Sequence, residues 1–107
     1  DYPSGTALML GHAIADGKSK TLKKIQGKIY LNKKGKGSQN KLNFYIVRKG
    51  KIPGTHSVTF ENKQEKLKIE HTAHSRDLFA EGAIGAAKWL AKKKPGLYNM
   101  HHVLGIK

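Results

Sequence analysis

The chain has 107 residues, 37% of them hydrophobic, and nineteen Lys and two Arg against seven acids give it a net charge of +14. That length holds one domain, 1–107, and the apolar share points to a modest core. With no cysteine in the sequence, disulfides and thiolate chemistry are excluded, and no apolar run reaches the roughly 18–20 residues of a membrane span. No charged and apolar leader opens the chain, so the expected location is cytoplasmic.

The charge has two readings. A small basic nucleic-acid-binding module is the sharper one, because a strong positive field attracts phosphate. A lysine-rich solvated surface is the plainer one, and composition favours it. Base reading leans on the planar guanidinium, and Arg48 and Arg76 are the only two. The aromatics are few and are not interleaved with the Lys clusters, which weakens a stacking platform for single strands.

In chain order, Ser4 to Asp16 reads as a helix. Ser4 is a good N-cap, the run from Ala7 to Ile14 has a broad apolar face, and Gly17 stands where a C-cap is expected. Four strand-like stretches follow: Ile25 to Leu31, Leu42 to Arg48, Thr55 to Glu61 and Glu65 to His74. Each alternates apolar and polar residues with the period of two that a sheet with one covered face shows. Between them lie a Lys/Gly/Ser loop (33–40), a tight connection from Lys49 to Gly54 and a hairpin bend at Asn62-Lys63-Gln64.

Ser75 then caps a long helix to about Lys94, with Asp77 in its first turn and Lys92 to Lys94 in its last, both suited to the helix dipole. Its small residues from Gly82 to Ala87 let the backbone approach a sheet closely. Pro95-Gly96 ends it, and an extended tail with Leu97, Tyr98, Met100, Val103 and Leu104 packs back. The expected fold class is α+β: a mostly antiparallel or mixed four-stranded sheet, helices on one face, the open face free for oligomerisation.

Chemistry is sparse. Pro3-Ser4-Gly5-Thr6 opens a helix whose first amides lack partners, and such an end accepts carboxylate or phosphate. From physics alone, an ordinary capped start outweighs an anion site there. Gly11 and Gly17-Lys18-Ser19 imitate a phosphate loop, but five residues intervene where four are required. His71 and His74, three apart in a strand, face opposite sides, and His101-His102 have no acid or cysteine beside them, so no metal set forms. No catalytic set is identifiable by spacing. Arg76 at a helix start has the wrong sign for the dipole; a partner such as Asp1, a subunit or a ligand carboxylate stands against a merely solvated Arg.

Three stretches carry a resemblance. Asp1-x-Pro3-Ser4-Gly5-Thr6-Ala7 is similar to the second half of the signature of dihydrodipicolinate reductases, also called 4-hydroxy-tetrahydrodipicolinate reductases. Arg48-x-Gly50-x-x-x-Gly54-x-His56-x-Val58 resembles a second stretch of that family. The third and most specific runs from Ser75-Arg76-Asp77-x-Phe79-Ala80-x-Gly82-Ala83 to Pro95-Gly96-Leu97-Tyr98-x-Met100. The resemblance implies an enzyme that moves a hydride from NADPH or NADH to a cyclic unsaturated dicarboxylate, giving tetrahydrodipicolinate, in lysine and diaminopimelate biosynthesis.

It further implies that this chain is the substrate-binding and tetramerising domain, with Gly5 and Thr6 binding a substrate carboxylate. The N-terminal Rossmann cofactor domain, with its glycine-rich fingerprint, is absent. The family's proton-donating His and its companion Lys lie before the residue matching Asp1, so no catalytic, cofactor-binding or metal residue is assigned, and the chain alone is expected to be inactive. One departure stands out. The family tail often reads Met-x-Asp-Val-Leu, whereas Met100-His101-His102-Val103-Leu104 lacks the acid, which puts the tail's local pairing in question.

Overall fold

The computed structural model describes residues 3–48, 50 and 54–106. It divides into two compact units, Asp1–Thr72 and Ala73–Lys107. The first contains helices α1 (Gly5–Gly17) and α2 (Leu22–Ile25) and strands β1 (Gln26–Leu31), β2 (Leu42–Ile46), β3 (Gly54–Glu61) and β4 (Lys66–Ala73), the last of which runs up to the boundary. The second contains α3 (Asp77–Leu90) and α4 (Met100–Leu104). The fold class is α+β.

Helix α1 begins where the sequence places it. Ser4 is its N-cap, in extended conformation, and its Oγ accepts from the Ala7 N–H at 3.2 Å. Its end differs from expectation. Gly17 remains helical, and the chain leaves through Ser19, whose φ of 56° lets the Lys20 N–H reach back to the Ala15 carbonyl at 2.9 Å. A short α2 follows where a strand was expected to start at Ile25. Its Leu22 and Ile25 are three apart, so they share a face, and both are buried against Ala15 and Phe44.

This cluster, with Ala7, Leu8, Ile14 and Leu42 packed around it, is the core of the first unit. Gly11 is its geometric key. A β-carbon there would lie 2.9 Å from Phe44 Cζ and 3.3 Å from Leu22 Cδ1. The residue that imitated a phosphate loop is therefore a packing residue, because only hydrogen fits beneath the ring.

Strands β1 and β2 pair in parallel, Ile29 opposite Phe44 and Leu31 opposite Ile46, with an irregularity between Gln26 and Ile29. There the ladder carries one residue more than its partner, and the Lys28 N–H is taken by the Asn43 side-chain oxygen at 2.8 Å. Their connection has no helix and turns through left-handed residues Asn32, Gly37 and Asn40. Strands β3 and β4 form a hairpin closed by the Asn62 N–H on the Glu65 carbonyl at 3.0 Å, and Asn62 Oδ1 accepts from the Gln64 and Glu65 amides. The expected four-stranded sheet is thus corrected: among the described residues the strands form two separate pairs, one parallel and one antiparallel. Alternation marks which residues can be strand, but edge-to-edge pairing depends on backbone register, which alternation does not encode. The expected connection from Lys49 to Gly54 falls largely on residues outside those described.

In the second unit, α3 stops at Leu90, four residues before the expected end, and Lys92 to Lys94 fall in the turn after it. Its N-cap residue is Arg76, not Ser75, although Ser75 Oγ accepts from the Asp77 N–H at 3.2 Å. A β-carbon at Gly82 or Gly85 would meet nothing within 4 Å, so within the second unit no element packs closely on these small residues. The tail, expected to be extended, forms α4. Trp89 meets Tyr98 edge to face at 5.2 Å, Tyr98 meets His102 likewise at 5.8 Å, and the Tyr98 hydroxyl donates to the Lys94 carbonyl at 2.7 Å.

Candidate functional site

The first turn of α1 presents Gly5 and Thr6 to solvent, both exposed, and a β-carbon at Gly5 would meet no atom within 4 Å. Ser4 Oγ satisfies the Ala7 amide. The Gly5 and Thr6 N–H groups precede any intrahelical acceptor, as the first four amides of a helix must. Two adjacent donors at the positive end of a helix dipole, uncovered by side chains, form a receptive point for an anion.

That point opens onto a broad cleft of about 2010 Å³ within the first unit, lined by Ser4, Gly5 and Thr6 and by Lys36, Lys41, Arg48 and His56 among others. Ligand-enclosing pockets run to roughly 300–1,000 Å³, so this concavity is too open to enclose a small molecule unaided. Two of the three stretches singled out in the sequence share it, the first through Ser4 to Ala7 and the second through Arg48, Gly50 and Gly54 to Val58. Sequence reasoning named Gly5 and Thr6 alone. Arg48 and His56 were legible as parts of a motif but carried no role until the hairpin of β3 brought them to the same wall.

Arg48 is also tied down at its backbone, its N–H donating to Asn32 Oδ1 at 2.7 Å. The basic loop is held as firmly. Asn43 Oδ1 accepts from the Ser38 N–H at 2.8 Å as well as from Lys28, and its Nδ2 donates to the Ser38 and Lys41 carbonyls, each at 3.1 Å. Tyr30 and Tyr45 stack at 5.2 Å, and their hydroxyls bond the Gly37 amide and the Gly35 carbonyl. Positions 33–41 therefore hold a defined shape despite their Lys/Gly/Ser composition.

His71 lies on β4 and His74 just beyond it, both exposed, and His101 and His102 lie on α4. Among the described residues no three His, Asp or Glu side chains converge as a metal set. Asp1, the suggested partner of Arg76, lies outside the described residues.

These features define a class: a basic α+β domain whose leading helix presents its N-terminus to an open cleft. The chain belongs to the family described as dihydrodipicolinate reductase, C-terminus, which matches residues 1–104. All 107 residues align at 53% identity with 4-hydroxy-tetrahydrodipicolinate reductase of Pelagibacter ubique, covering 42% of that protein. They align at 47% with the enzyme of the same name from Caulobacter vibrioides, covering 42% of it. With that of Geotalea uraniireducens the identity is 36%, and 40% of it is covered. The chain thus spans about two-fifths of the length of these relatives.

Proposed function

We propose that this chain is the substrate-binding and assembly domain of a 4-hydroxy-tetrahydrodipicolinate reductase, an oxidoreductase of lysine and diaminopimelate biosynthesis that uses NADPH or NADH. The observation that carries the reading is the bare amide pair of Gly5 and Thr6 at the α1 N-terminus, set on a cleft with Arg48 in a chain of this family. A ring bearing two carboxylates suits such a site. One carboxylate takes the two amides and the Thr6 hydroxyl, and the cationic wall neutralises the remaining charge.

The chain's own residues do not fit the nicotinamide cofactor. Among the described residues the one parallel strand pair is joined by an irregular loop, not by the glycine-rich turn and helix that cradle a pyrophosphate. The domain accordingly binds and orients the dicarboxylate, while hydride delivery and proton donation fall to groups elsewhere in the whole enzyme. The exposed apolar side chains of β4 and of α3 (Leu67, Ile69, Leu78, Phe79) support homo-oligomeric assembly, with a tetramer as the expected state.

Calorimetry with pyridine-2,6-dicarboxylate tests the reading. The unmodified protein binds it, and Thr6→Val, which keeps the shape and removes the hydroxyl, weakens binding about tenfold, the worth of roughly 1.4 kcal/mol for a hydrogen bond to a charged group. Equal affinity in the variant removes Thr6 from the site. Turnover of NADPH and substrate by this chain alone contradicts the domain assignment.

A further inference from the structure

The turn from Asn99 into α4 is a capping box of unusual composition. Asn99 Oδ1 accepts from the His102 N–H at 3.2 Å, and the Asn99 N–H donates to His102 Nδ1 at 2.9 Å. The second bond is normally made by a Glu or Gln at this position, whose oxygen accepts at any neutral pH. Here the acceptor is an imidazole nitrogen, and the resemblance of the tail led one to expect an acid at the same place. An imidazole nitrogen accepts only while it carries no proton, and in the charged ring both nitrogens are donors.

We propose that His102 makes the C-terminal helix a pH-responsive latch: α4 is capped only while the ring is neutral with its proton on Nε2. The surroundings reinforce the switch. His102 touches the edge of Tyr98, Tyr98 touches Trp89 near the end of α3, and Lys93 Nζ lies 4.7 Å from the centre of the Trp89 ring. The state of the cap is therefore joined by packed rings to the end of α3. The charged and titratable groups on the neighbouring elements are Asp77, Glu81 and Lys88 of α3, Lys92, Lys93, Lys94 and Tyr98 of the connection, and His101 beside it. Four of them are lysines, and among the described residues neither acid nor any other carboxylate pairs with His102. A protonated ring loses its donor and gains no partner.

The sign follows. The bond stabilises α4 only with the neutral ring, so acidification that protonates the ring removes the stabilisation and alkali restores it. Gly105, at φ 71°, closes the far end of α4, its N–H on the His102 carbonyl at 3.3 Å and that of Ile106 on the His101 carbonyl at 2.9 Å. Those two amides report on whether the helix is formed.

Nuclear magnetic resonance of the whole protein between pH 8 and 5 decides the matter. The expected results are a proton on His102 Nε2 at pH 8 and an Asn99 amide shift that follows the titration of the His102 ring. The Gly105 and Ile106 amides should exchange on the order of five-fold faster once the cap is lost. His102→Asp, which retains an acceptor, should leave the Asn99 amide insensitive to pH over this range. A proton on Nδ1 at pH 8, an Asn99 shift independent of the ring, or an unchanged transition in His102→Asp overturns the proposal. Should that variant fail to fold, the two measurements on the unmodified protein still decide.

Discussion

Phe44 Cζ sits over Gly11 at a spacing that leaves room for a hydrogen and for no β-carbon, which would stand 2.9 Å from it. Phe44 is 8% exposed and Leu22, which closes the other side of the gap, 5%. Gly11→Ala would gain about 1 kcal/mol of helix propensity. It must also push back the Phe44 ring and the Leu22 methyl group beside it, at a cost of roughly 1–3 kcal/mol. The net expectation is a loss of about 1 kcal/mol in urea-induced unfolding. A gain would show that the ring swings aside without cost.

The opposite result is expected six residues later. Gly17 is helical, without the left-handed conformation a C-cap glycine would need, and a β-carbon there meets nothing within 4 Å. Gly17→Ala should therefore stabilise the protein by about 0.5 kcal/mol, less than a mid-helix exchange because the last turn frays. Ser19, at φ 56°, is the position where glycine would relieve strain.

These two glycines show what the sequence carries and what it withholds. The start of α1 was legible because an N-cap serine acts through bonds within three residues. The ending was misplaced because Gly17 and Ser19 both fit a left-handed turn by local criteria, and burial of Ala15, Leu22 and Ile25 selects between them. The strands were found at nearly their observed bounds, yet their division into two pairs was not, since pairing is a relation between distant residues. Of the residues that line the cleft, Gly5 and Thr6 were singled out by the resemblance, since the local chemistry of a helix start by itself favours an ordinary cap. Arg48 and His56 reach it only through the course of β2 and β3.

Asn43 is a further residue whose role was invisible in one dimension. It accepts from the Lys28 and Ser38 amides and donates to the Ser38 and Lys41 carbonyls, closing the β1 irregularity and the basic loop at once. Each such bond contributes roughly 0.5–1.5 kcal/mol net, less where water competes. Asn43→Ala is expected to cost about 2 kcal/mol, with faster amide exchange at Lys28 and Ser38. Asn43→Asp, keeping the oxygen that accepts both amide bonds and losing both donated ones, should fall between. Equal stability of all three proteins would mean that solvent replaces these bonds without loss.

Gly5 separates binding from folding. Because a β-carbon at Gly5 meets no neighbour, Gly5→Ala should unfold within about 0.5 kcal/mol of the unmodified protein. The same methyl stands beside the two free amides and obstructs an anion approaching them. Affinity for pyridine-2,6-dicarboxylate is expected to fall at least tenfold, or about 1.4 kcal/mol. Intact binding in a normally folded variant would place the carboxylate elsewhere on the cleft.

The exposed face of β4 gives the last test. Leu67 and Ile69 lie two apart on one face of the strand, 58% and 62% exposed, where isolated apolar residues are ordinary but a stripe of them marks a surface that another chain covers. A charge there costs a lone chain little, within about 0.5 kcal/mol, because water reaches it. Buried between subunits it is strongly unfavourable, since an unpaired carboxylate loses its hydration. Ile69→Glu should therefore reduce the sedimenting mass to that of a smaller species at concentrations where the unmodified protein is assembled, and Ile69→Val should not. An unchanged mass in Ile69→Glu would remove this face of β4 from the interface and leave α3, with Leu78 and Phe79 about half exposed, as the surface to test next.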